Sequence, residues 1–299
     1  MTTAKISPDP ASGTAHPFRG VLLFVAALFF FACMDATTKY LATLYNVPLV
    51  MAVRYVVNSL LMVAIFAPSQ GRRMLATQRT GLVLLRAGCL VAASLFFGIA
   101  LRHVPLAEAT AIIFLAPLLV MLLAGWVLQE RVGALGWAAA AAGFLGVLLI
   151  VRPGGDLDPI GVGCALVAAA VIAAYQLLSR VLAGSEETVA LMFWATLAGS
   201  VFFGASLPWS WTGAAPTWEQ GLLFVSLGVT GGLGHFLFTA AYRHTPASLL
   251  APVNYLQLLW AGLLGWAVFA HVPDALTIGG MSIVAASGIL SALKSRRRT

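Results

Sequence analysis

The chain has 299 residues, 61% of them hydrophobic and 9% charged, with a mean hydropathy of +0.95 and a formal charge of +7. Soluble domains are about 45–50% apolar and about 25% charged. This composition therefore excludes a water-soluble globule and calls for a bilayer, within which every span must satisfy its own backbone. The surplus of cations falls in loops, as in membrane proteins generally, and with no polar domain to carry it nucleic acid is excluded as a partner.

Residues 1–18 are polar, contain Pro8, Pro10 and Pro17, and read as a flexible cytoplasmic tail. No cleavage signal follows, so the first apolar run is read as a retained span. Apolar runs of roughly 18–23 residues suit helices that cross a bilayer and are too long for barrel strands. They predict spans at 19–41, 48–67, 80–101, 105–127 and 134–151, then at 160–182, 188–207, 220–242, 246–269 and 274–293. Residues 294–299 form a basic tail. The connections carry turn chemistry, as in Asn46-Val47-Pro48, Arg152-Pro153-Gly154-Gly155 and His271-Val272-Pro273, and leave no room for a soluble domain. Cys33, Cys89 and Cys164 lie inside apolar runs and read as packing residues. No His or Cys cluster has metal-ligand spacing, and no cofactor is expected.

Twelve Lys and Arg residues fall on the side of both termini, against Arg102 and Arg152 on the other. The positive-inside rule then places both termini in the cytoplasm, with lipid around the spans. Trp209, Trp211 and Trp218 gather at an outer connection, where an aromatic belt is expected.

A repeat runs through the chain at an offset of 141: Arg102-His103-Val104-Pro105 recurs as Arg243-His244-Thr245-Pro246. The same offset pairs Gly20-Val21 with Gly161-Val162, Lys39 with Arg180, Met51 with Met192, and Ile113-Phe114 with Asn254-Tyr255. Each copy holds five spans, an odd number, so the second enters the membrane from the opposite face. The fold class expected is an all-α membrane protein of ten transmembrane helices in two inverted five-helix repeats, residues 19–152 and 159–293. Inverted repeats are typical of secondary transporters that expose one central site to either side in turn.

Ionisable groups inside spans cost at least about 2.5 kcal/mol each at the centre. Asp35 and Lys39 share one face of the first span, and Arg54 and Asn58 one face of the second. A charge pair or triad of Asp35, Lys39 and Arg54 is expected, serving either as a structural lock or as an outer gate or substrate-carboxylate contact. Arg86, near the inner end of span three, is expected to snorkel. Glu108 suits the start of span four as a helix N-terminal carboxylate. His235 is read either as a hydrogen-bonded packing residue or as a proton-linked one. Span nine contributes Asn254, Tyr255, Gln257 and Trp260 beside Pro252, and span four contributes Phe114 with Pro117 at matching depth. Kinks at these prolines would open a cavity between the halves. Tyr175, Gln176 and Trp194, with Asn58 and His235, complete the expected substrate cavity, one suited to a small amphipathic solute.

The stretches Arg102 to Thr110, Phe114-Leu115-Ala116-Pro117-Leu118, Glu130-Arg131 and Gly143-Phe144-Leu145-Gly146-Val147 through Arg152-Pro153-Gly154 resemble the EamA-type transporters of the drug/metabolite transporter superfamily. The second copy is more diverged, with His271 in place of Glu130. The resemblance implies a cavity formed by spans one to four and six to nine, with spans five and ten peripheral. It also implies a bacterial inner membrane and a small-molecule substrate, with bacterial amino acid exporters of the aromatic (YddG-like) kind as the favoured comparison. Export of aromatic and other neutral amino acids by alternating access is the function expected. Transport of another metabolite or drug, such as a nucleoside derivative, is the alternative. A non-transporting scaffold or an intramembrane enzyme fits less well, since one Asp and one His at different depths make no catalytic site.

Overall fold

The computed structural model describes residues 17–127, 134–152, 155–211, 215–245, 250 and 253–296. The expected tail up to residue 16, residues 297–299 of the basic tail, the Glu130-Arg131 motif and Pro252 lie outside the described residues.

The helices are α1 (Pro17–Leu44), α2 (Val47–Gln70), a 3-10 turn (Gly71–Leu75), α3 (Thr80–His103), α4 (Leu106–Ile113), α5 (Ala116–Val127) and α6 (Ala134–Val151) in the first half. The second half holds α7 (Pro159–Leu182), α8 (Thr188–Ala205), the short α9 (Leu207–Ser210), α10 (Trp218–His244), α11 (Leu256–Phe269) and α12 (Ala275–Arg296). No strand occurs among the described residues. Six helices are long and apolar enough to cross a membrane, and four shorter apolar ones bring the total to ten. The chain is an all-α membrane protein of ten helices in two inverted repeats.

The helix starts follow local chemistry. Asp158 caps α7 by accepting from the Ile160 N–H at 2.8 Å, with Pro159 at the first helical position. Thr217 and Gln220 form a capping box at the start of α10.

Span four is not continuous: it breaks between α4 and α5 at Phe114 and Leu115. Pro117 has no N–H to return to the Ile113 carbonyl, and the chain tightens there, with Leu115 N–H on the Ile112 carbonyl at 3.0 Å. Span nine breaks at Asn254 and Tyr255, where Gln257 and Leu258 donate three residues back, each at 3.1 Å. The two interruptions fall at repeat-equivalent depth.

The packing has the two-fold pattern that the repeat demands. α1 lies along α10 as α7 lies along α3, and α2 meets α10 as α8 meets α3. The counterparts α2 and α8, α4 and α11, and α6 and α12 pack on each other. Residues 141 apart touch directly: Ser59 and Ser200 hydroxyls are 2.9 Å apart, and the Phe114 and Tyr255 ring centroids 5.0 Å apart. A residue can meet its own counterpart only where both stand beside the axis relating the halves.

The glycines Gly20 and Gly161, another pair at this offset, make matching close approaches. A Cβ on Gly20 would stand 2.0 Å from Thr245 Oγ1, and one on Gly161 2.5 Å from Val104 Cγ2. α6 and α12 are joined in the same way, since a Cβ on Gly280 would lie 2.6 Å from the Gly146 carbonyl oxygen. The main apolar core, including Leu101, Leu106, Ile112, Leu118 and Ala165, lies where α3, α4, α5 and α7 converge.

Candidate functional site in the membrane interior

Between the halves runs a series of polar side chains drawn from α1, α2, α3, α7, α10 and α11. The Asp35 carboxylate, buried on α1, accepts from Gln257 Nε2 of α11 at 3.4 Å. Arg54 of α2 lies within electrostatic reach of Asp35 and His235. Its guanidinium donates to Ser94 Oγ at 3.3 Å, approaches the Met51 sulfur at 3.7 Å and stands 5.2 Å from the Tyr55 ring centroid. Ser94 also shares a 2.7 Å hydrogen bond with the Tyr55 hydroxyl. His235, the repeat counterpart of Ser94, is exposed on α10 and sets its ring edge-on to Phe31 at 4.9 Å. Asn58 is half-buried and faces the close-packed Gly231 and Gly232 of α10.

Deeper toward the basic end stands Arg86. We expected it to snorkel; instead it is buried, with Nε on Ser179 Oγ at 2.7 Å, one terminal nitrogen on Tyr175 Oη at 2.7 Å and the other on the Leu191 carbonyl at 3.1 Å. Its guanidinium also lies 4.4 Å from the Tyr175 ring centroid. Two helices, α7 and α8, supply its partners, which is why a lateral path is satisfied where an extended one to water was expected.

The expected charge triad also needs correcting. Among the described residues no ion pair joins Asp35, Lys39 and Arg54. Lys39 turns away and donates to the Leu101 and Val104 carbonyls at 2.7 and 2.8 Å. These lie at the C-terminal end of α3, where a helix leaves carbonyls unpaired and welcomes a cation. Lys39 is within electrostatic reach of Glu108, in the first turn of α4. One Glu108 oxygen meets His271 Nε2 at 2.9 Å, and the other is buried without a partner.

The remaining expected cavity residues divide. Tyr175 belongs to the interior group through Arg86, and Gln176 and Asn254 are half-buried beside it in sequence and at the span-nine break respectively. Phe114 and Tyr255 pack against each other with their rings tilted at 46°, and the Tyr255 hydroxyl reaches to Gly288 of α12, so they plug the axis. Trp194 is set apart: its indole nitrogen points to the Leu75 carbonyl at 3.4 Å, at the basic end. Trp260 packs edge-on to Phe29 at 5.1 Å, in the apolar cluster of α1 and α10. Both displacements follow from bulk, since large indoles fill apolar seams between helices. The sequence reading missed Tyr55, Ser94 and Ser179, and only the offset that pairs Ser94 with His235 pointed to one of them.

At the cation-poor end, polar contacts tie the halves together. Tyr45 donates to Gln220 Oε1 at 2.5 Å, Asn46 to the Ser210 carbonyl at 3.0 Å, and His103 meets Asp158 at 2.7 Å. Arg152 reaches Asp274 across the tips of α6 and α12. A cleft of about 380 Å³ opens there, lined by Pro48, Ile99, Arg102 and Trp209 among others, and none of the mid-membrane polar residues borders it. At the basic end, Glu186 accepts from the Gln78 and Arg79 backbone N–H groups at 3.0 and 2.6 Å. Tyr45 and Glu186 are counterparts at the 141 offset, as are Arg79 and Gln220, so one contact is made in both of its repeat-related forms.

Comparison with known proteins bears on this geometry. Residues 18–152 and 159–293 each match the family described as the EamA-like transporter family. The pseudopaline exporter CntI of Pseudomonas aeruginosa is 29% identical over 279 residues, covering 92% of this chain and 96% of that one. The riboflavin transporter of Vibrio cholerae is 27% identical, covering 91% and 92%. The S-adenosylmethionine uptake transporter of Rickettsia bellii is 28% identical, covering 89% and 90%. A solved protein structure superposes with a TM-score of 0.63 at 21% identity, covering 91% of this chain and 98% of the other, a likeness of fold alone.

Proposed function

We propose, from the premise that the chain belongs to the EamA-like transporter family, that it is a secondary carrier moving a small organic metabolite across a bacterial inner membrane, both termini cytoplasmic. It is a membrane transporter and not an enzyme. The observation that carries the mechanism is the contact of Ser59 with Ser200 and of Phe114 with Tyr255, counterparts meeting on the axis of an inverted repeat. Two inverted halves offer two near-equivalent conformations, each open to one side, with a shared central site.

The favoured substrate changes. The relatives are named for pseudopaline, riboflavin and S-adenosylmethionine, none of them for an amino acid, so a metabolite of another kind displaces amino acids as the first reading. An interior of Tyr55, Tyr175, Asn58, His235 and Arg54 suits an amphipathic solute with a planar part. Amino acid transport is the second reading, favoured by Asp35 and Arg54, opposite charges in mutual reach without contact.

Counterflow in proteoliposomes tests this. Vesicles loaded with unlabelled riboflavin, S-adenosylmethionine, nucleosides or amino acids are offered the labelled compound, with protein-free vesicles alongside. Accumulation of any one establishes the carrier and ranks the substrate classes. Folded protein that exchanges none of a broad panel sinks the carrier reading.

A further inference from the structure

The two arginines inside the membrane are not in the same state. Arg86 has all three nitrogens of its guanidinium hydrogen-bonded, to Ser179, Tyr175 and the Leu191 carbonyl. Arg54 carries five N–H donors, and among the described residues it meets Ser94 at 3.3 Å, the Met51 sulfur at 3.7 Å and the Tyr55 side chain. Away from the helix ends the spans hold the cations Arg54 and Arg86 against one carboxylate, Asp35; Lys39 and its counterpart Arg180 stand near the two membrane surfaces, and Glu108 lies in the first turn of α4. Lys39 is within electrostatic reach of Glu108, and Asp35 is within reach of Arg54 but held by Gln257. The interior is thus one positive charge in excess, and its least engaged donor group is Arg54.

We propose that the transported solute carries a carboxylate and that Arg54 receives it. The inference rests on the carrier reading and adds its substrate class. A single negative charge neutralises the surplus, and a guanidinium fork matches a carboxylate with two parallel hydrogen bonds. Tyr55 and Ser94 hold the fork in place, Asn58, one turn along α2, supplies an amide to a neighbouring group, and His235 of α10 lies within electrostatic reach. Selection then comes from differential cost: an isosteric amide leaves Arg54 without its counter-charge.

The test uses binding, which does not depend on transport. The purified full-length protein in nanodiscs is offered matched pairs: nicotinate and nicotinamide, indole-3-acetate and indole-3-acetamide, phenylalanine and phenylalanine amide. Thermal stabilisation and tryptophan fluorescence give the affinities. The acid of at least one pair is expected to bind about tenfold or more tighter than its amide. Arg54→Gln should abolish that preference, and Arg54→Lys, which keeps the charge and loses the fork, should cut it severalfold. The proposal is overturned if no acid outbinds its amide, or if the preference survives in Arg54→Gln; should that variant fail to fold, an unchanged preference in Arg54→Lys overturns it. Acid preference without counterflow of any solute would remove the carrier reading alone, and counterflow without acid preference would remove this one alone.

Discussion

Ser59 and Ser200 hold the same place in the two repeats, and their hydroxyls lie 2.9 Å apart. When inverted halves exchange conformations, the distance between a residue and its own counterpart is unchanged. Contacts between non-equivalent residues instead trade places with their mates: the Asn46–Ser210 separation becomes that of Glu187 and Ser69, which no hydrogen bond joins among the described residues.

A pair of engineered crosslinks separates these cases. Ser59→Cys with Ser200→Cys should oxidise readily and keep most of its counterflow. Asn46→Cys with Ser210→Cys should lose more than tenfold on oxidation and recover on reduction. Equal inhibition by both crosslinks would contradict exchange about this axis.

Arg86 ties α3 to α7 and α8. Arg86→Leu strands the Tyr175 hydroxyl, Ser179 and the Leu191 carbonyl, at a cost on the order of 2–4 kcal/mol. Thermal unfolding followed by size-exclusion fluorescence should show a clear fall in Tm, larger than for Arg54→Gln. The reverse order would move the structural role to Arg54.

Asp35 and Glu108 should respond differently to loss of charge. Asp35→Asn removes the one carboxylate within reach of Arg54 and raises the interior surplus by a charge, so counterflow should fall by about tenfold or more. Glu108→Gln keeps a hydrogen-bonding partner for His271 and should lose less than about threefold. Matching losses in both variants, at equal expression, would erase the distinction.

The cation-poor end should loosen in acid. The Asp158 carboxyl is held below the usual carboxylate range by its hydrogen bond with His103 and by the Ile160 N–H. The Asp274 carboxyl is held lower still, by the Arg152 guanidinium and then by Thr277. A depressed pKa stabilises the folded state above the unfolded value, near 4, and that contribution disappears as pH falls through the depressed one. Tm should therefore decline below about pH 4. In Asp274→Asn it should start lower at pH 7 and decline less; a wild-type-like decline in that variant would assign the effect elsewhere.

Much of the fold was legible because bilayer solvation writes itself into composition: long apolar runs, cations in loops, and a duplication preserved at one offset. Pro117 marked the break in span four, since a missing N–H acts locally. The interior contacts were less legible. Ser179 and Tyr175 sit on one helix and Arg86 on another, 89 and 93 residues away, and nothing near Arg86 announces them. Lys39 and Asp35 share a face of α1, which suggested a pair. The exposed carbonyls at the end of α3, visible only once two helices are packed, offered Lys39 a better partner.

Asp35, Lys39, Arg54, Arg86 and Glu108 all belong to the first repeat, and their counterparts are Gln176, Arg180, Ala195, Leu227 and Leu249. Halves of identical sequence would make the two end states degenerate, with an equilibrium constant of one in the absence of solute and voltage. Here Asp35, Arg54, Arg86 and Glu108 face uncharged counterparts, so the states must differ in energy, and an empty carrier rests preferentially facing one side. A single substitution among these four residues shifts that resting equilibrium as well as any binding it alters.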